Sequence, residues 1–124
     1  MYVFDIDGTL TNSKYGFAPT GKESVNKEVV ATLSRFIKQW SKIVILTGRE
    51  NKYRRVTENW LKSNWIQYDS LFMRNDEHIG STAYKKDKMK RLMIPGRKIQ
   101  GWYDDNPWVQ KIAEELNVPF TLIR

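Results

Sequence analysis

The stretch of sequence that decides the fold lies at the start of the chain and reads Tyr2-Val3-Phe4-Asp5-Ile6-Asp7-Gly8-Thr9-Leu10. Its apolar beginning predicts a short buried strand, and the run then changes abruptly to carboxylates, a glycine and a hydroxyl. Such a change is typical of a strand that ends at the edge of a sheet, where the chain turns and polar side chains can meet a ligand. Other strands that are followed at once by polar residues would therefore indicate a sheet whose strands end at one common edge.

Two later stretches repeat this pattern of an apolar strand followed at once by polar residues. The predicted strand Lys42–Leu46 runs into Thr47-Gly48-Arg49-Glu50, and the predicted strand Lys98–Tyr103 runs into Asp104-Asp105-Asn106. The remaining patterns predict two more strands, Leu71–Met73 and Val118–Ile123, and four helices near Val25–Trp40, Tyr53–Leu61, Asp87–Met93 and Pro107–Leu116. Strands that alternate with helices through short connections indicate an α/β fold, in which a five-stranded parallel sheet is flanked by helices in three layers.

The composition restricts the chemistry that this fold can carry. With 124 residues the chain suits one domain, residues 1–124. It has no Cys and one His, which excludes disulfides, a disulfide-linked partner, thiolate metal sites and a His-rich zinc site. Carboxylates, hydroxyls and cations remain as chemical groups. The apolar runs are too short to span a membrane and no leader pattern is visible, so we expect a cytoplasmic protein that does not enter a membrane.

The charge balance is basic. There are 21 Lys and Arg residues against 14 Asp and Glu residues, which gives a net charge of +7. A basic surface recruits polyanions such as nucleic acid, but a lysine-rich surface also serves solubility alone. Both interpretations stay open on charge alone.

Four carboxylates are predicted to gather at one edge of the sheet, where two strands end: Asp5, Asp7, Asp104 and Asp105. Clustered carboxylates repel one another unless a cation neutralises them, and oxygen ligands of this kind suit Mg²⁺. With a nearby Thr, Gly and Lys, such a site is equipped for phosphoryl transfer. One aspartate attacks phosphorus while its companion exchanges a proton with the leaving oxygen and then with water. Asp105 and Asn106 also suit a helix cap, and that alternative stays open.

Three of these segments together resemble a known family. Asp5-Ile6-Asp7-Gly8-Thr9-Leu10-Thr11 resembles the first motif of the haloacid dehalogenase (HAD) superfamily of phosphohydrolases, Ile45–Glu50 resembles its second motif, and Trp102–Asp105 its fourth. The resemblance implies a Rossmann-like fold. It also implies that Asp5 is the nucleophile and a metal ligand, and that Asp7 is the general acid and base and offers its backbone carbonyl to the metal.

The same resemblance implies roles for the later segments. Thr47 and Gly48 would bind the transferring phosphoryl group, and Asp104 and Asp105 would complete the Mg²⁺ shell. The third motif, a lysine that opens a helix, lies within the basic run Lys85–Lys90. Its best match is Asp87-x-x-Lys90 followed by Leu92 and Met93, which favours Lys90 as a phosphate-binding lysine and leaves Lys88 as the alternative.

A narrower resemblance concerns the second motif and the helix after it. Thr47-Gly48-Arg49-Glu50, Tyr53-Arg54 and Thr57-x-x-Trp60-Leu61 are similar to the 3′-phosphatase domain of phage-type polynucleotide kinase/phosphatases. This similarity implies that Arg49 also binds phosphate. About fifteen residues separate Leu10 from the first helix, too few for a cap domain, so the site should be open.

An open site on a basic domain favours nucleic-acid substrates. We therefore expect a Mg²⁺-dependent phosphomonoesterase that forms an aspartyl-phosphate and acts on DNA or RNA 3′ ends. The alternatives are a phosphatase of mononucleotides or other small phosphorylated metabolites, and an inactive nucleic-acid-binding module.

The tryptophans divide into two groups. Trp40, Trp60 and Trp108 lie on the apolar side of their helical patterns and are expected in the core. Trp65 and Trp102 fit either the core or a surface where an exposed ring stacks on a base.

Overall fold

The predicted sheet is present, and all its strands run parallel. We describe residues 1–14 and 18–124 in a computed structural model. The five strands lie in the order β3-β2-β1-β4-β5. Their bounds are β1 Tyr2–Phe4, β2 Ile43–Glu50, β3 Ser70–Arg74, β4 Gly101–Asp104 and β5 Phe120–Leu122. The α/β class and the five-stranded parallel sheet are therefore confirmed.

Four helices connect these strands: α1 Lys27–Lys38, α2 Arg54–Ser63, α3 Ser81–Leu92 and α4 Pro107–Leu116. The side chains of Asn26 and Asn106 cap α1 and α4 by accepting hydrogen bonds from backbone N–H groups of the first turn. Helix α3 begins well before the predicted Asp87. Among the described residues, no helix combines the length and the apolar character needed to cross a membrane.

Each face of the sheet carries its own apolar core. Neighbouring strand residues point to opposite faces, so Val3 packs against the core under α3 and α4, whereas Phe4 packs against the core under α1 and α2. Trp102 lies fully buried in the first core and Trp60 in the second. Helices on both faces give the three layers that the sequence predicts.

Two of the tryptophans expected in the core lie at the surface, so that prediction was wrong for them. Trp40 is 94% exposed, and Trp108 is 65% exposed. Trp40 follows the end of α1 with a left-handed φ of 65°, so the helical period no longer describes its direction. Trp108 precedes the buried Val109 on α4, and a step of about 100° around the helix removes it from the apolar stripe. Trp65 is also exposed.

The strand register places the ends of β1 and β4 side by side. Phe4 pairs with Tyr103 on one side and with Ile45 on the other. The chain builds β2 and β3 on one side of β1, then crosses to add β4 and β5 on its other side. The carboxyl ends of β1 and β4 therefore border the crevice in which parallel α/β sheets bind their ligands.

Candidate active site

The loop after β1 is a tight turn over Ile6–Leu10, and it depends on Gly8. Gly8 has a left-handed φ of 77°, which is costly for residues with a Cβ. A Cβ at this position would also collide with the carboxylate of Asp105. The turn is closed by the Gly8 N–H, which donates to the backbone oxygen of Ser13 at 2.9 Å. Gly8 therefore allows the loop after β1 to approach the loop after β4.

This approach brings three carboxylates together. Asp5, Asp104 and Asp105 each offer an oxygen atom within 4.8 Å of the other two. Asp5 and Asp104 are buried, and Asp105 is half-buried. The carboxylate of Asp7 is not part of this cluster. Three of the four residues predicted to hold a metal are thus placed together through their side chains.

The lysine that contacts these carboxylates is Lys85, and the predicted Lys90 lies away from them. The Nζ of Lys85 donates to Oδ1 of Asp5 at 3.0 Å and to Oδ2 of Asp104 at 2.7 Å. Lys90 lies five residues later on α3, about 140° around the helix from Lys85, and is exposed. The alternative Lys88 places its Nζ over the Phe72 ring. The predicted start of α3 was six residues too late, and the match to Asp87-x-x-Lys90 selected an exposed lysine of this helix.

The carboxylate cluster holds more negative charge than Lys85 offsets. Burial, and then the neighbouring Asp104 carboxylate, raise the pKa of Asp5 to about 7, even though Lys85 opposes this shift. Burial also raises the pKa of Asp104 and of Asp105. Burial lowers the pKa of Lys85, but the two carboxylates outweigh it and raise that pKa. Three carboxylates around one ammonium fit a divalent cation with oxygen ligands such as Mg²⁺.

The end of β2 lies next to this cluster. A Cβ at Gly48 would collide with the side chain of Ser81, so this glycine allows the first turn of α3 to approach β2. Arg74 also contacts this end of β2, since its Nε donates to the backbone oxygen of Gly48 at 2.9 Å. The Thr47 hydroxyl oxygen accepts a hydrogen bond from the Arg49 N–H at 3.1 Å, and its own proton is left to donate elsewhere.

A cavity of about 290 Å³ opens between these loops, at the lower end of the range of small-molecule pockets. Its walls include seven of the predicted residues: Asp5, Asp7, Thr47, Gly48, Arg49, Asp104 and Asp105. Ser81, Arg74, Lys14 and Lys85 also line it. The sequence patterns did not single out Ser81, Arg74 or Lys14, which belong to no motif.

The side chain of Arg49 contacts Asp7 and exposes none of its surface. Its Nε donates to Oδ2 of Asp7 at 2.9 Å, and its Nη2 donates to Oδ1 at 2.8 Å. Its Nη1 donates to the Thr57 hydroxyl at 3.0 Å, and Nη2 also reaches Glu23 Oε2 at 3.4 Å. Sequence reasoning missed Glu23, because nothing near it in the sequence marks a contact with residues so far along the chain.

Comparisons with known proteins agree with this geometry. The profile of the polynucleotide kinase PNKP phosphatase domain matches residues 1–119. Among solved structures, a Pnkp1/Rnl/Hen1 complex contains a chain that is 27% identical, with a TM-score of 0.89 over 98% of this chain and 45% of that one. A Pnkp1/Rnl/Hen1 RNA repair complex matches with the same identity and TM-score over 41% of its chain. Among curated proteins none matches.

The chain spans less than half the length of each of these two solved chains. The family profile, in contrast, covers almost the whole of the present sequence. The order of the motifs along the chain agrees with this profile, and so does their position at the carboxyl edge of the sheet. The chain belongs to the HAD-superfamily phosphatase domains of the polynucleotide kinase PNKP family.

Proposed function

We propose that this chain is a Mg²⁺-dependent phosphomonoesterase that removes 3′-phosphates from nucleic-acid ends, within one capless domain of residues 1–124. The observation that carries the proposal is the surplus of negative charge around the buried Asp5. Its neighbours are Asp104, Asp105 and the single ammonium of Lys85. When bound by Asp5, Asp104 and Asp105, Mg²⁺ supplies positive charge that keeps Asp5 ionised and offsets the charge of the phosphoryl oxygens.

The first half of the reaction transfers the phosphoryl group to the protein. A carboxylate oxygen of Asp5 attacks phosphorus, and the bond from phosphorus to the 3′ oxygen of the substrate breaks. Asp7, in its protonated form, gives its proton to that oxygen, so that a 3′-hydroxyl leaves. The Thr47 hydroxyl and the Gly48 N–H hold the phosphoryl oxygens during this step.

The second half of the reaction releases inorganic phosphate. Asp7, now a carboxylate, takes a proton from a water molecule whose oxygen attacks phosphorus. The bond between phosphorus and the Asp5 oxygen breaks, and the free Asp5 carboxylate returns. Lys85 stays bound to Asp5 and Asp104 throughout and keeps these carboxylates in place.

Three observations support a nucleic-acid end as the substrate. The first is that no helix or strand of the described residues covers the cavity. Residues 75–80 join β3 directly to α3, and the segment before α1 is held by a pairing of Thr11 with Val25. The chain has a net charge of +7, which favours polyanions. The similar solved chains belong to an RNA repair complex. A cytoplasmic location stays a prediction from the sequence.

The test compares phosphate release from three substrates, each with Mg²⁺ and with EDTA. These are a 3′-phosphorylated oligonucleotide, its 5′-phosphorylated counterpart and a 3′-mononucleotide. We expect the first to be hydrolysed with the highest kcat/KM, and only with Mg²⁺. A preference for the mononucleotide would contradict the substrate, and oligonucleotide binding without any phosphate release would contradict the catalytic role.

Two variants with the same chemical change test the nucleophile. D5N should lose activity by at least about 10⁴-fold, because a carboxamide does not attack phosphorus. D87N is the matched control, since Asp87 is exposed on α3 and pairs with the exposed Arg91 at 3.2 Å. We expect D87N to keep normal turnover. Retained activity of D5N would overturn the mechanism.

A further inference from the structure

Both carboxylate oxygens of Asp7 are held by one buried guanidinium. The two hydrogen bonds from Arg49 measure 2.9 and 2.8 Å and form the two-pronged pairing that arginine makes with carboxylates. This pairing fixes the direction of the carboxylate. Asp7 is half-buried at the wall of the cavity, so it is both held and reachable.

The guanidinium of Arg49 has little left to offer a phosphate group. Arg49 borders the cavity, but its side chain exposes 0% of its surface, so an oxygen in the cavity does not reach the guanidinium without a rearrangement. Its four hydrogen bonds use all but one of the N–H donors of a guanidinium. The family resemblance implies phosphate binding by Arg49, and these contacts do not favour that role.

Arg49 is itself held in place from two other parts of the chain. Thr57 on α2 accepts from Nη1, and Glu23, which precedes α1, accepts from Nη2. Glu23 is anchored in turn, since its backbone oxygen accepts a hydrogen bond from the Trp60 indole at 2.8 Å. Partial burial raises the pKa of Glu23, but backbone N–H groups and Arg49 bring it below its usual value. Glu23 is therefore ionised and helps to compensate the buried guanidinium.

We propose that Arg49 is a positioning residue, which orients Asp7 for proton transfer and does not bind the transferring phosphoryl group. This inference rests on the proposed function and adds a role for a buried arginine. Proton transfer requires the carboxyl group within about 2.6–3.2 Å of the oxygen that it serves. An error of about 1 Å in such a position is enough for a large loss of rate.

The chemistry of the leaving group separates the two possible roles of Arg49. An alcohol, such as the 3′ oxygen of a nucleotide, needs a proton as it leaves, whereas p-nitrophenolate leaves without one. A residue that positions the acid therefore affects phosphoryl transfer from a nucleotide 3′ oxygen to the enzyme strongly. It has little effect on phosphoryl transfer from p-nitrophenyl phosphate. A phosphate ligand matters equally for both.

The experiment follows the first phosphoryl transfer to the enzyme in R49K, which keeps the charge but loses the two-pronged pairing. We expect single-turnover cleavage of a 3′-phosphorylated oligonucleotide to slow by roughly 100-fold, within the range of general acid catalysis. The burst of p-nitrophenolate from p-nitrophenyl phosphate should stay within about threefold of wild type, and so should the inhibition constant of inorganic phosphate. R55K, at an exposed arginine of α2, is the matched control and should behave as wild type.

A double-variant comparison tests whether Arg49 acts through Asp7. In a D7N background, R49K should cost no further rate, because the group that it positions is already gone. T57V removes only the partner of Nη1 and serves as a milder variant if R49K does not fold. It should show the same selectivity between the two esters, with a smaller loss.

Each result supports or overturns one statement. Equal losses for both esters, a weaker inhibition by inorganic phosphate, or additive losses in D7N would overturn the positioning role while the proposed function stands. A wild-type protein that releases no phosphate from any ester would instead overturn the proposed function, and the inference with it.

Discussion

The two aspartates of the first loop lie two residues apart and have opposite surroundings. Asp5 shares one ammonium with other carboxylates, and its pKa is raised to about 7. Asp7 pairs through both of its oxygens with the guanidinium of Arg49, which also contacts Glu23. Asp7 has an extended conformation (φ −71°, ψ 123°) and is followed by the left-handed Gly8. Under the proposed mechanism, the surplus of negative charge around Asp5 suits a residue that binds a cation and attacks phosphorus, whereas the pairing of Asp7 suits a residue that must keep its direction.

The largest expected effect on stability and activity comes from removing the ammonium of Lys85, which contacts Asp5. K85M leaves two buried carboxylates without their ammonium, and removal of one partner of a buried ion pair costs about 3–5 kcal/mol. We expect a lower free energy of unfolding in EDTA and a loss of kcat/KM of roughly 10³-fold or more. Urea unfolding and phosphate release measure the two effects.

The control for this variant is K90M, which removes an exposed lysine from the same helix. It should leave both the unfolding free energy and kcat/KM close to wild type. If K90M lost activity while K85M kept it, the assignment of the lysine would be wrong.

A smaller effect is expected from Gly8, the glycine that follows the two aspartates. G8A places a Cβ at a left-handed φ and against the Asp105 carboxylate, and we expect a loss of about 2 kcal/mol in stability. Mg²⁺ affinity, measured by calorimetry, should fall as well, because Asp105 must move.

Gly96 provides a matched control for the backbone part of this effect. Its φ is 83°, and a Cβ there meets nothing within 4 Å. G96A should therefore lose about 1 kcal/mol from strain alone and keep its Mg²⁺ affinity. Equal Mg²⁺ affinities in G8A and G96A would show that the contact of Gly8 with Asp105 has no part in the metal site.

The smallest expected effect concerns stability and its pH dependence. The pKa of Asp5 in the folded protein is about 7, above its ordinary value of 3.8, so the folded state binds the extra proton at intermediate pH. The contribution of Asp5 to stability therefore falls as pH rises from about 4 to 7. In EDTA, D5N should be more stable than wild type at pH 8 by about 1 kcal/mol, and much less so at pH 4.

Denaturant unfolding at both pH values measures this difference. D87N again controls for the loss of a carboxylate at an exposed position. A D5N protein that is less stable than wild type at pH 8 would contradict the view that Asp5 carries uncompensated charge.

Much of the site could be predicted from the sequence, because the geometry of parallel sheets determines where the residues after each strand lie. Apolar runs predict parallel strands, and the carboxyl ends of parallel strands meet at one edge, so Asp5, Thr47 and Asp104 were expected together and lie together. The lysine could not be chosen in this way. Helix α3 has only a weak apolar stripe and buries a lysine, so its apolar residues do not reveal that it begins at Ser81.

The sequence by itself determined the alternation of strands and helices, the parallel sheet and the carboxylates at its edge. These features follow from local preferences of the chain. Only the tertiary structure decided which cation belongs to which aspartate, that Lys85 joins Asp5 to Asp104 and that Arg49 holds Asp7. The contacts of Lys85 and Arg49 with these aspartates join residues that are 19 to 80 positions apart in the sequence. The packing of helices on the sheet sets such distances, and no local pattern records them.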